Sequence, residues 1–117
     1  MGSNIVRFSP VRQVSLATLS ASGGNYVTLG SALDHPMRVL HFINNTDGDM
    51  MISFDGTTDN APLLAESFAL YDLTSDQDSN ESFRYEKGTQ VYVRYITAPT
   101  TPADGAVYLV AVYGKGE

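Results

Sequence analysis

The chain contains no cysteine and no tryptophan. Without cysteine there are no disulfides, no thiolate metal sites and no thiol nucleophile. Without tryptophan it lacks the strongest aromatic platform for stacking on a sugar. No apolar run approaches the roughly 20 residues that a membrane helix needs. The first residues, Met1-Gly2-Ser3-Asn4, are not a basic region leading into an apolar one, so no signal peptide is expected. Basic residues are few: 7 against 13 acidic ones, a net charge of −6. Phosphate binding draws its affinity from Lys and Arg, so a nucleic-acid partner is not expected. An acidic surface confers solubility or suits a basic protein partner.

Equally absent are the short motifs of catalysis. There is no phosphate-cradling glycine loop, no H-E-x-x-H and no nucleophile elbow. Histidine occurs twice. His35 precedes Pro36 in a turn, and His41 lies between Leu40 and Phe42 in an apolar run. As catalyst or ligand, each would need a partner. Asp47, Asp49, Asp55 and Asp59 offer oxygens of the kind calcium takes, but their spacing is not that of an EF-hand loop. They fall where turns are expected, and Asp is favoured there for its backbone hydrogen bonds. Asp72, Asp76, Asp78 and Glu81 read as a solvated stretch. No enzyme activity, cofactor or metal is expected.

What is present is β signal from end to end. At 117 residues the chain has the size of one domain. A compact fold of this mass buries about two-thirds of its chain surface, enough for one modest core. Clusters of Gly, Ser, Thr, Asn, Asp and Pro separate short apolar runs. Expected strands are 11–20, 26–29, 37–43, 50–54, 68–73, 83–85, 89–96 and 106–113, with 57–67 a loop. Pro99 and Pro102 exclude pairing through 98–105. No window shows a capped helical period. About eight antiparallel strands in one domain, residues 1–117, predict an all-β sandwich of jelly-roll or immunoglobulin-like type. The predicted core is Val39, Phe42, Ile52, Phe54, Leu70, Val91, Val93, Leu109 and Val112.

Candidate interface residues come from two places. Tyr92 and Arg94 share one face of a strand, and neither is a natural core residue. Ile5, Val6 and Phe8 precede the first clear strand, and Pro10 interrupts pairing into it. Residues of about 1–10 are therefore expected to form an arm that leaves the domain and lies on a neighbour.

Four stretches carry a resemblance: N-N-T-D-G-D-M-M-I-S-F-D-G-T-T-D from Asn44, F-A-L-Y-D-L from Phe68, K-G-T-Q-V-Y-V-R-Y from Lys87, and A-V-Y-L-V-A-V-Y from Ala106. From Arg38 to Tyr113 the chain resembles small virion structural proteins of tailed phages. In size and class it is similar to the jelly-roll cement proteins that decorate phage capsids. The resemblance implies a homo-oligomer on a phage particle, made in the host cytoplasm. Its partners would be the major capsid protein or other virion proteins. Alternatives are a neck or tail-connector ring component, or a sugar- or receptor-binding module. The shared motifs are turns and strands, so they speak to fold before function.

Overall fold

A computed structural model describes residues 6–72, 87–97 and 105–114. In chain order the elements are β1 (Val6–Phe8), β2 (Arg12–Ser15), α1 (Leu16–Ala21), β3 (Val27–Thr28), β4 (Val39–Asn44), β5 (Met50–Ser53), β6 (Ala61–Leu63), β7 (Ser67–Asp72), β8 (Tyr92–Tyr95) and β9 (Ala106–Gly114). All pairing is antiparallel, and it makes two sheets. The first runs β1-β9-β4-β7 with β2 also on β9; the second runs β3-β8-β5-β6.

The pairs nest. β5 lies on β6, β4 on β7, β3 on β8, and β1 and β2 on β9. The chain is thus a long hairpin folded at residues 53–61 and rolled into two layers. With β1 and β2 counted as one interrupted strand, this is the jelly-roll arrangement rather than the immunoglobulin one. The interruption is local: Ser9, Pro10 and Val11 face only Val110 and Ala111 on β9. One extra residue makes a bulge, and Pro10 has no N–H to offer the ladder. Pro62 is tolerated within β6 for a related reason, since β6 is an edge of the second sheet.

The core is the space between the layers. β4 alternates cleanly, with Leu40, Phe42 and Asn44 inward. Ile52, Val91, Val93, Leu109 and Phe42 are buried as expected. Leu70 is not: it is 55% exposed. Val39 and Val112 lie half-buried on the outer side of the first sheet, and Phe54 packs half-buried against the core. The reason is a choice of face. In β7, Ala69 and Tyr71 pack on the core, which turns Phe68, Leu70 and Asp72 outward.

Three further expectations are corrected. Residues 11–20 are not one strand, because Ser15 starts a helical turn: its hydroxyl accepts from Thr18 N–H at 3.2 Å. That cap places Leu16 and Leu19 in the core, one turn apart. Residues 57–67 hold β6 rather than being loop throughout. Residues 6–8 do not leave the domain, since β1 pairs with β9 of its own chain and Ser9 N–H donates to Ala111 O at 2.9 Å. The backbone pairing is worth more to this segment than its side chains suggested. The expected strand 83–85, the stretch with Asp76, Asp78 and Glu81, both prolines near residue 100, and residue Ile5 lie outside the described residues.

Candidate functional site

The outer side of the first sheet is an apolar surface, and strand register builds it row by row. Phe68, Ile43 and Tyr108 lie side by side across β7, β4 and β9. The next row is Leu70, His41 and Val110. The third is Asp72, Val39, Val112 and Phe8, the last supplied by β1. Phe8 is 70% exposed and Phe68 67%, far beyond what a strand-face aromatic needs if its own fold covers it. Exposed apolar areas of this kind mark contact surfaces or aggregation hazards.

His41 occupies the middle of that surface. Phe68 meets its ring edge-on, with centroids 5.4 Å apart. Its Nε2 is buried and has no hydrogen-bond partner. Near the start of β7 the surface dips into a shallow cleft of about 470 Å³ lined by Phe68, Ile43, Tyr108 and Glu66. Asn44 fixes the cleft wall. Its Nδ2 donates to the carbonyls of Gly48, Leu63 and Leu64, and its Oδ1 accepts from Thr46 N–H and Oγ1.

A second cluster sits on the outer side of the other sheet. Arg94 donates to Asp59 Oδ2 at 2.9 Å, and its guanidinium carbon lies 5.4 Å from the centre of the Tyr26 ring. Tyr26 donates its hydroxyl to the other oxygen of Asp59 at 2.5 Å. These contacts tune one another. The Tyr26 bond, then Arg94, hold the Asp59 carboxyl below its ordinary range. Asp59, then Tyr26, raises Arg94. Partial burial, then Asp59, raises the Tyr26 phenol. Tyr92 lies beside this group with its ring under the turn at Gly56, where a Cβ would approach the ring to 3.3 Å. Gly56 has φ of +85°, so both its conformation and the ring beneath it call for glycine. That turn is held by Asp55, which accepts from the N–H groups of Thr57 and Thr58 and from two hydroxyls. These bonds pull its carboxyl far below the ordinary range.

The structure separates the candidate interface residues. Phe8 belongs to the apolar surface of the first sheet. Tyr92 and Arg94 do share one side of β8, but on the other sheet, and both are engaged within the chain. Val6 begins β1, and Ile5 lies outside the described residues. Phe68 and Leu70 were absent from the candidates, although a signal for them existed. Asp72 shares their side of β7, so that side reaches water. His35 stacks flat on Tyr113 at 3.8 Å and 7°. Among the described residues, no three His, Asp or Glu side chains converge to hold a metal ion.

No protein-family model matches this chain, and no curated protein matches it significantly.

Proposed function

We propose that this chain is a non-enzymatic structural protein of a phage particle, most specifically a capsid cement protein. On this reading it docks the outer side of its first sheet onto neighbouring capsid subunits. The observation that carries the docking surface is the exposure of Phe8, Phe68 and Leu70 in one apolar field around His41. A small jelly roll has little use for such a field except to cover it with another protein. The phage assignment rests on the sequence resemblance across Arg38 to Tyr113. The acidic charge keeps the chain soluble until it docks.

Counting tests it. Quantitative mass spectrometry of purified particles should find on the order of hundreds of copies, as lattice decoration requires. About six or twelve would instead fit a neck or tail ring, whose closure fixes its number. Absence of the chain from the particles would overturn the assignment. Retained binding by a Phe68→Ser/Leu70→Ser variant, offered to particles stripped of the native protein, would overturn the docking surface.

A further inference from the structure

We infer that β1 is an exchangeable strand, and that its second partner is the β9 edge of another copy of this chain. Four observations support the exchange. β1 is held by three residue pairs, Val6, Arg7 and Phe8 against Gly114, Tyr113 and Val112. Phe8 is mostly exposed where it is, so its departure uncovers little of the core. The segment joining β1 to β2 is the short bulge at Ser9, Pro10 and Val11, where Pro10 contributes no ladder bond and Val11 is 60% exposed. Beyond the bulge, peeling stops. Arg12 is buried, and its guanidinium donates to the carbonyls of Ser31, Ala32 and Pro10 and to Ser9 Oγ.

A short hinge between a weakly held strand and a pinned one is the arrangement that favours exchange between copies. A vacated β9 edge would leave the backbone of residues 112–114 unpaired on that side. Only another antiparallel strand restores that ladder, and a second β1 restores it bond for bond. Two copies that trade β1 therefore keep the three β1–β9 pairs, and what they give up is confined to residues 9–11: Ser9 N–H to Ala111 O and the Arg12 bonds to Ser9 Oγ and Pro10 O. The exchange does not depend on what the chain binds, so it stands or falls apart from the particle assignment.

The chain has no cysteine, which makes the test direct. Phe8 and Val112 are register partners on the outer side of the sheet, at a spacing that a disulfide can bridge. A Phe8→Cys chain and a Val112→Cys chain are mixed at high concentration, left to equilibrate, oxidised and separated without reductant. Neither can close a bond within itself. In an equimolar mixture, exchange predicts that the mixed cross-link exceeds each self cross-link several-fold; a mixed yield no more than about twice each self yield, as random collision gives, would overturn it. Light scattering on the unmodified chain is the second measurement. A dimer fraction that grows with concentration, and falls when Gly-Ser-Gly is inserted after Pro10, is expected. A monomer at every concentration would sink the inference.

Discussion

Arg12 and Gly30 are packed so closely that a methyl group on Gly30 would lie 2.6 Å from Arg12 Cβ. Gly30 also has φ of +71°, a conformation that costs a side-chain-bearing residue of order 1–3 kcal/mol. Its smallness lets the Arg12 stem pass and carry the guanidinium to the carbonyls of Ser31 and Ala32, at 2.8 and 3.1 Å. Gly30→Ala should therefore destabilise the fold by about 2 kcal/mol or more, through strain and overpacking together. Arg12→Lys should lose about 2 kcal/mol as well, because one ammonium cannot reach the several acceptors that the planar fork spans. Urea unfolding of both variants measures this. Wild-type stability in Arg12→Lys would show that the fork is dispensable.

Phe68 and Leu70 are expected to behave as surface residues in the free chain. Phe68→Ser and Leu70→Ser should each change stability by no more than about 0.5 kcal/mol and raise solubility. Phe42→Ala, in the core between the layers, should cost about 3–5 kcal/mol. Thermal unfolding of the three variants side by side makes the comparison. A loss at Leu70 approaching that at Phe42 would mean that something covers β7 in the free chain.

His41→Phe should stabilise the free chain. The substitution keeps an aromatic ring against Phe68 and removes a buried nitrogen that lacks a partner. Leaving such a group unsatisfied costs about 1–3 kcal/mol, and partial recovery of about 1 kcal/mol should raise the melting temperature by several degrees. A lower melting temperature would show that Nε2 finds a partner in solution.

Acid should weaken the fold through Asp55. Its folded-state pKa is depressed by bonds from Thr58 and Thr57, so the unfolded chain binds a proton that the folded chain refuses. That contribution is complete above the unfolded value, near 4, and is lost as pH falls through the folded one. Asp59 adds a smaller effect of the same sign. The melting temperature should therefore fall between pH 5 and pH 2, and Asp55→Asn should flatten that fall. An unchanged slope in the variant would contradict it.

The strands were legible where one physical signal dominated. Val91 to Tyr95 alternates against a clear turn at Lys87-Gly88, and β8 is there. β7 was legible as a strand but not in its facing, because both of its sides are apolar. Small Ala69 takes the inner side, and only Asp72 betrays the outer one. The helix α1 is a single capped turn and a half, too short for a 3.6-residue period to show. Leu29, Leu33 and Met37 are fully buried from an irregular stretch, where no periodicity exists to read. The apolar field around His41 was least legible of all. It is assembled from β1, β4, β7 and β9, and register alone brings those strands together.

Nested pairing also sets an order of events during synthesis. β5 and β6 can meet as soon as both exist, and β4 and β7 soon after. β1 and β2 cannot find a partner until β9, about a hundred residues later, has been made. The whole first sheet hinges on that last strand, which lies between β4 and the N-terminal pair. Such long-range closure makes for slow folding. Until it happens, Leu40 and Phe42 have only half a cover, so a truncated or stalled chain is the form most exposed to chaperones and to misassembly.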